Sequence, residues 1–245
     1  MLQVGDIFNK NTINIFADAS VFKTGLIKQD GKEYMITCPG MVAVATNPVE
    51  HIIIDNACYV EPGTNNSGEI KAIRLGIMAA LKYRDCFQTI NLFSDSGICM
   101  QGLRTWIKGW VNNQVDGILY SSSGSEVVNQ TTFKNIIYDI IQNNLNINLY
   151  HQRGHVNINN IDSIKKAKND FIKFNNLNCD VDLNLITQIS YFNNLVDDMT
   201  RKHLQAYDNT QPIVYVSPAM SRNNYINKQN MNKYYNLIGG NRYVK

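Results

Sequence analysis

Four acidic positions of the sequence could act together although they lie far apart in the chain. Asp18 and Asp95 each end a short apolar run, and Glu69 opens a run with helical periodicity. The fourth acid comes from "LVDDMTR", which offers Asp197 or Asp198. Carboxylates packed together are unfavourable unless a cation neutralises them, and a ligand set made only of oxygen suits Mg²⁺ or Mn²⁺ better than Zn²⁺. Two such ions about 4 Å apart can activate a water and stabilise the leaving oxygen of a phosphodiester.

Each acid also has a plain structural explanation. An aspartate after a strand is often only a turn residue, which would account for Asp18 or Asp95. Glu69 follows the polar cluster "TNNS", so it could simply complement the dipole at the start of a helix. It is the combination of the acids that favours a metal site.

The periodicity of the chain predicts elements that would bring these acids together. Residues 12–20 are predicted as a buried strand, and "GLIKQ", "EYMITC" and "VEHIIIDNACYV" as further strands of an antiparallel meander. After that the spacing predicts, in order, a helix at 67–83, a strand at 89–95, a helix at 97–110, a loop or flap at 111–128, a helix at 130–144 and a strand at 145–152. This order indicates an α/β fold with a mixed sheet and helices on its faces. If the strands that carry Asp18 and Asp95 are parallel neighbours, both acids emerge at the edge where such sheets bind ligands.

The C-terminal part of the chain is more polar. Helices are predicted at 163–174 and 191–207, and the segment 208–245 is predicted to be a C-terminal extension. Its charges are mostly positive. This segment could be ordered against the domain, or it could be a basic arm.

Composition limits the class of protein. The chain has 245 residues, of which 44% are hydrophobic, and a net charge of +3 that permits nucleic-acid binding without arguing for it. Its five cysteines form no CxxC pair, which favours reduced thiols over disulfides or zinc. The opening residues lack the apolar stretch of a signal peptide, and no apolar run reaches the roughly 18 residues of a membrane span. We therefore expect a cytoplasmic protein without membrane contact, in a bacterium or in a cell infected by a virus.

Five stretches of the sequence form a recognisable pattern. They are "FADAS", "TNNSGEIKAI", "LFSDSGICMQGLRTWIKGW", "QRGHVN" and "NNLVDDMTR". They resemble the motifs of type 1 ribonuclease H over roughly residues 12–205, and the second and third matches are the most specific. The resemblance implies a ribonuclease H-like mixed sheet of five strands, three antiparallel and the rest parallel. It also implies a domain at 1–207 that carries an insertion at about 156–192.

The resemblance further implies an activity and a set of site residues. The family cleaves the RNA strand of an RNA–DNA hybrid, and its motif register selects Asp197 rather than Asp198. Asp18, Glu69, Asp95 and Asp197 would then bind two Mg²⁺ ions, with Mn²⁺ as a possible substitute. His155 would assist proton transfer or product release from a turn, although it could be an ordinary surface histidine. His151 competes with it for that role, but it lies in a predicted strand.

Substrate-binding residues are implied in the same way. Asn65 and Asn66 match amides that read 2′-hydroxyls across the minor groove, and Thr64 matches a phosphate-pocket residue for the DNA strand. Trp106 matches an aromatic residue beside a deoxyribose, although it could equally pack in the core. Asn129 resembles the asparagine that begins the helix after the flap, or it could act only as an N-cap.

Some positions depart from the family pattern. The loop after Asp18 is short, Gly97 stands where a glutamine is common, and the flap 111–128 contains no Lys or Arg. Lysines of the predicted insertion or of the tail could supply the missing positive charge, or they could form a solvated helix face: Lys165, Lys166, Lys168 and Lys173. Phosphate contacts by these lysines would make binding sensitive to salt.

Three functions are compatible with the sequence. We expect an endoribonuclease that acts on hybrids, removing primers during replication and encoded by a phage or mobile element. A DNA-directed nuclease of the same fold, such as a junction resolvase, has no need of the "TNN" amides. A non-catalytic hybrid-binding module would not need all four acids, and the short segment before the first strand leads us to expect no fused polymerase in this chain. The oligomeric state is not predicted.

Overall fold

The computed structural model of the chain describes residues 1–29, 32–47, 50–207 and 226–238. A mixed sheet forms its centre. The strands are β1 (Thr12–Gln29), β2 (Lys32–Asn47), β3 (Glu50–Cys58), β4 (Glu61–Pro62), β5 (Thr89–Ser94) and β6 (Ile147–His151). Their order is β3-β2-β1-β5-β6, with the two-residue β4 paired to β2 outside this path. The pairs β1–β2 and β2–β3 are antiparallel, whereas β1–β5 and β5–β6 are parallel. The predicted α/β mixed sheet is therefore confirmed, with β4 as an addition to the five expected strands.

Helices cover both faces of the sheet. They are α1 (Val4–Ile7), α2 (Asn65–Tyr83), α3 (Gly97–Gln101), α4 (Ile107–Asn112), α5 (Gln130–Gln142), α6 (Ile161–Phe174), α7 (Leu183–Gln205) and α8 (Lys228–Leu237). A π-helical turn, Gly102–Trp106, joins α3 to α4. One core cluster packs α2, α5 and α8 on the first face, and a second packs α1, α6 and α7 on the other. No helix in these described ranges has the length and apolar character needed to cross a membrane.

Strand β1 is longer than the sequence indicates. The sequence predicts this strand over residues 12–20, with a polar stop at Asp18 and a short loop after it, but the strand continues to Gln29. The residues after Phe16 remain in the sheet because they pair with β2, with Asp18 opposite Gly40. The expectation that Asp18 ends a strand is therefore wrong. What ends near Asp18 is the parallel pairing with β5, whose last pair is Phe16 with Phe93.

Helix α2 begins at Asn65, two residues before the predicted start. Thr64 is its N-cap: Thr64 Oγ1 accepts from Ser67 N at 3.2 Å, and Ser67 Oγ lies 2.8 Å from Thr64 N. Because these two residues satisfy the first turn, Glu69 is not the capping acid that one explanation of the sequence required. Glu69 is instead a buried residue of the helix.

A ladder of asparagines crosses the three parallel strands. Asn14, Asn91 and Asn148 occupy the same register on β1, β5 and β6. Asn148 Nδ2 donates to Asn91 Oδ1 at 2.8 Å, and Asn91 Nδ2 donates to Asn14 Oδ1 at 2.9 Å. Asn14 Nδ2 completes the ladder by donating to Ile7 O of α1 at 3.0 Å. Each amide therefore finds a partner inside the fold, as buried polar groups require.

Two segments outside the central sheet are also ordered. The predicted helix in the segment 156–192 is α6, and the last helix begins at Leu183 rather than at 191. The proposed extension 208–245 lies outside the described residues except for 226–238. Within that range Ile226, Met231 and Tyr234 are buried in the same core cluster as α2. The domain boundary at 207 and the assignment of 156–192 as an insertion stay predictions.

Candidate active site

Three carboxylates meet at the end of the parallel strands. Asp18 lies on β1, Glu69 lies in the second turn of α2, and Asp95 is the residue that follows β5. Each offers one oxygen, and these oxygens all lie within 4.8 Å of one another. Asp18 and Glu69 are only 4% and 6% exposed. The predicted convergence of these three acids is therefore present in the structure.

Burial and mutual repulsion disfavour charge on all three groups. Burial is the largest cause that raises the pKa of Asp18 and Glu69 well above their usual values, and the neighbouring carboxylates raise both further. The pKa of Asp95 is also raised by burial, although Asn193 and His155 oppose the shift. A cation between the oxygens would remove the repulsion, since it favours the charged form of each group.

The oxygen atoms fit a divalent cation. Among the residues that the structure describes, no hydrogen-bond donor reaches Glu69 Oε2, although this atom is buried. An unsatisfied buried carboxylate oxygen is costly, so it requires a partner that the described residues do not supply. The ligand set contains only carboxylate oxygen, which suits Mg²⁺ or Mn²⁺.

Helix α7 brings Asp197 to the rim of this cluster. Asp197 does not belong to the set of three within 4.8 Å, but its charge raises the pKa of Asp18, Glu69 and Asp95. Its Oδ2 lies 3.6 Å from His155 Nδ1 and 3.9 Å from Arg201 Nη1. Asp198 instead pairs with Arg201 and Lys202, at 3.1 Å and 2.5 Å. Between these two acids, the structure thus directs Asp197 toward the cluster.

His155 lies on an exposed turn beside Asp197. Its side chain is 79% exposed, and its backbone adopts the left-handed region with φ of 51°. The preceding Gly154 has no room for a side chain, because a Cβ there would collide with Asp95 Oδ2. The turn therefore brings its backbone against Asp95 while the ring of His155 stays open to solvent. His151 differs, since its half-buried ring stacks on Phe174 with ring centroids 4.0 Å apart.

The predicted substrate-binding residues lie at two places near the cluster. Thr64, Asn65 and Asn66 are exposed at the start of α2, the helix that carries Glu69. Trp106 is 40% exposed at the end of the π-helical turn, with its ring centroid 6.1 Å from that of Trp110. Cys99 Sγ lies 3.9 Å from Asn66 O, so α3 begins beside the start of α2.

Two further residues at the site were missed by the sequence analysis. Asn193 is buried in α7, and its Nδ2 lies 3.5 Å from Asp95 Oδ2. Gln152, also buried, donates to Asn193 Oδ1 at 2.5 Å. Asn193 stands in "NNLVDDMTR", so its position four residues before Asp197 was an available signal. Gln152 carried no such signal.

Asn129 is at the start of α5, as expected from the sequence. It adopts a left-handed backbone with φ of 59°, and its side chain makes no capping hydrogen bond. The side-chain cap that was one explanation for this residue is therefore absent from the described structure.

Comparison with models of known protein families finds a match over more than half of the chain. The family model for RNase H matches residues 10–171, a range that includes Asp18, Glu69, Asp95 and His155 but ends before Asp197. No curated protein matches the chain in sequence.

Several solved structures are similar to the chain at low identity. The foamy viral protease–reverse transcriptase in complex with RNA/DNA hybrid is 16% identical over 67% of this chain and 19% of that chain, with a TM-score of 0.42. The PFV RNase H domain is 18% identical over 73% of this chain and 94% of that chain, with a TM-score of 0.47. LC11-RNase H1 in complex with RNA/DNA hybrid is 14% identical over 66% of this chain and 96% of that chain, with a TM-score of 0.40.

Proposed function

Since this chain belongs to the RNase H family, we propose that it hydrolyses the RNA strand of RNA–DNA hybrids with the help of two divalent cations. Family membership indicates a phosphodiester hydrolase. The observation that carries the proposal is the convergence of three carboxylate oxygens within 4.8 Å, together with a buried Glu69 Oε2 that no donor of the described residues reaches.

Asp18, Glu69 and Asp95 would hold the cations, and Asp197 would complete the ligand set from α7. Mg²⁺ is the expected ion, with Mn²⁺ as a substitute. When bound, the ions would supply electrostatic stabilisation to the attacking and leaving oxygens of the phosphodiester. The chain's own contribution is to fix the carboxylates in place, since β1, α2 and β5 are held in one packed core.

His155 is positioned to exchange protons at the edge of the cluster. Its ring is exposed and next to Asp197, so it can reach solvent and the carboxylates from one turn. We assign it to proton transfer or product release, because an imidazole can both accept and donate a proton.

Thr64, Asn65, Asn66 and Trp106 would contact the hybrid. Amides both donate and accept hydrogen bonds, so Asn65 and Asn66 suit the 2′-hydroxyls that distinguish RNA from DNA. Their exposure at the start of α2 leaves them open to a large substrate. Trp106 offers an exposed aromatic face to a sugar of the DNA strand. Removal of hybrids during replication is the biological role that fits this specificity.

One assay tests the proposal. The full chain is incubated with labelled RNA–DNA hybrid, duplex DNA or a four-way junction, each with Mg²⁺, Mn²⁺ or EDTA. We expect cleavage of the RNA strand of the hybrid alone, dependent on the metal and abolished in Asp95→Asn. Cleavage of duplex DNA or of the junction in preference to the hybrid would support a DNA-directed nuclease instead. Binding of the hybrid without cleavage under all metal conditions would support a non-catalytic module.

A further inference from the structure

The helix that follows Asp95 is distorted where it carries Trp106. Ile107 N donates to Gly102 O, five residues back, in place of the usual bond to the residue four back. This π-helical turn shifts the register of the helix between α3 and α4. Wide turns of this kind are frequent at functional sites and need a local cause.

The C-terminal helix supplies a contact to the displaced backbone. Tyr234 of α8 is fully buried, and its hydroxyl donates to Leu103 O at 3.1 Å. In an uninterrupted α-helix, Leu103 O would accept from Ile107 N, which here bonds to Gly102 O instead. The tyrosine thus compensates a carbonyl that the turn would otherwise leave without its usual partner.

Helix α8 is fixed to this region by a second contact. Gln114, which follows α4, donates from its Nε2 to Ile226 O at 2.9 Å, just before α8 begins. Ile226 and Met231 lie in the core cluster that also contains Leu103 and Ile107. Helix α8 is therefore packed against the helix that carries Trp106.

The turn is also bonded to the C-terminal end of α6. Arg104 Nη1 donates to Phe174 O at 3.1 Å and to Asn175 Oδ1 at 3.0 Å. Two neighbouring residues of the turn, Leu103 and Arg104, are thus bonded to two separate segments of the C-terminal half of the chain. Trp106 follows two residues later and remains exposed.

We infer that Tyr234 is a positioning residue that holds the π-helical turn in the shape that presents Trp106 to a nucleic acid. This inference rests on the proposed function for its substrate, an RNA–DNA hybrid. It gives the C-terminal helix a role in substrate binding although α8 contributes no residue to the carboxylate cluster. Loss of the tyrosine hydroxyl therefore weakens hybrid binding and leaves the chemistry at the carboxylates unchanged.

The test separates KM from kcat in the full chain. In Tyr234→Phe we expect KM for the hybrid to rise about fivefold, the effect of one lost buried hydrogen bond, while kcat stays within about twofold. Tyr83→Phe is the matched control, because Tyr83 also donates to a backbone carbonyl, Ile54 O at 3.3 Å, but away from the turn. The control should leave both constants unchanged. Gln114→Ala, which loosens α8 without altering the core, should raise KM in the same direction.

Tryptophan emission gives a second readout that needs no activity. The chain has two tryptophans, so Trp106 is the only one left in a Trp110→Phe background. We expect Tyr234→Phe to change the emission and acrylamide quenching of Trp106, and Tyr83→Phe to leave them unchanged. Unchanged KM and unchanged emission in a folded Tyr234→Phe would overturn the inference, as would a Trp106→Ala variant with wild-type KM. If the wild-type chain does not cleave hybrids, the proposed function fails and the emission measurement alone decides whether Tyr234 holds the turn.

Discussion

Two rows of polar side chains lie on the parallel strands and at their carboxyl ends. The first row is the asparagine ladder, Asn14, Asn91 and Asn148. The second, the acid row, is the carboxylate cluster of Asp18, Glu69 and Asp95, in which Asp18 and Asp95 lie four residues beyond Asn14 and Asn91. Four residues of a strand span about 13 Å, so the rows are separate but share their strands and their neighbours. They therefore allow a direct comparison of what a buried polar group does in this fold.

The rows differ in whether their members satisfy one another. Each amide of the ladder donates to the next oxygen, and the last donates to a backbone carbonyl. The carboxylates of the second row repel one another, and their pKa values are raised, mainly by burial and further by neighbouring carboxylates. The ladder fixes the register of the parallel strands at little cost, whereas the acid row costs stability that a bound cation would restore.

The largest expected effect comes from neutralising a member of the acid row. Asp18→Asn should lower kcat for hybrid cleavage by at least about a hundredfold, because electrostatic stabilisation of the reacting phosphate depends on the intact ligand set. In EDTA the same variant should be more stable than wild type by on the order of 1 kcal/mol, since one of three repelling charges is gone.

The stabilisation that Mg²⁺ gives on binding tests the same acid row. Mg²⁺ should stabilise the wild-type chain by about 2.7 kcal/mol at one hundred times Kd, and Asp18→Asn should gain much less. Thermal unfolding in EDTA and in Mg²⁺ measures both quantities. A variant that is less stable than wild type in EDTA would show that the acid row is not under repulsion.

A substitution in the asparagine ladder should lower stability and leave activity unchanged, the opposite of Asp18→Asn. Asn91→Ala removes the central amide and leaves Asn14 Oδ1 and Asn148 Nδ2 without their partners. We expect the free energy of unfolding to fall by about 2–4 kcal/mol, while kcat per folded molecule stays within about twofold. Denaturant titration measures the loss, and Asn159→Ala is the control because that asparagine is exposed. A loss as small as that of the control would mean that the ladder does not stabilise the sheet.

The sequence identified the acid row better than the ladder. Asp18, Glu69 and Asp95 were recognisable because three buried-strand and helix patterns each ended or began on an acid, and family motifs supported them. The ladder asparagines lie inside strands whose apolar neighbours dominate the pattern. The residues around Asn14, Asn91 and Asn148 do not predict that the three share a register, since strand pairing is decided by contacts distant in sequence.

Element boundaries were harder to predict where tertiary contacts decide them. The strand end expected at Asp18 was wrong because β1 continues to pair with β2 beyond the residues that pair with β5. The π-helical turn was equally hidden, because its contacts with Tyr234 and with Phe174 come from residues 70 or more positions away. By contrast, the amphipathic spacing of α2 predicted its C-terminal end correctly, because that end depends on local periodicity.

A smaller effect is expected where the acid row meets α7. Asn193 lies between Gln152 and Asp95, so it orients a carboxylate without touching substrate. Asn193→Ala should lower activity about tenfold, as loss of a partner behind a metal ligand commonly does. Measurement of kcat across a Mg²⁺ titration checks this, with Asn184→Ala at the exposed start of α7 as control. Equal activity in the two variants would mean that Asp95 needs no support from α7.

The smallest expected effect concerns positive charge beyond the acid row. Lys166 and Lys173 lie seven residues apart, on one exposed face of α6, and within the described ranges neither forms an ion pair, whereas Lys165 and Lys168 do. The end of α6 is next to β6, because Phe174 stacks on His151. If the chain binds a hybrid as proposed, we expect these two lysines to contact its phosphates beyond the edge of the sheet.

Changing both lysines to glutamine should weaken hybrid binding about threefold and make the plot of log K against log salt concentration less steep by about one to two units. Binding measured in EDTA over a range of salt concentrations keeps cleavage out of the comparison. Lys82→Gln is the control, since Lys82 lies at the opposite end of α2 from Glu69. If the double variant and the control share the wild-type slope, the face of α6 is only solvated, and the positive charge that balances the hybrid must lie elsewhere in the chain. A reduced slope with unchanged kcat would instead separate two tasks of the molecule: carboxylates that bind ions at the sheet edge, and lysines that bind phosphates beyond it.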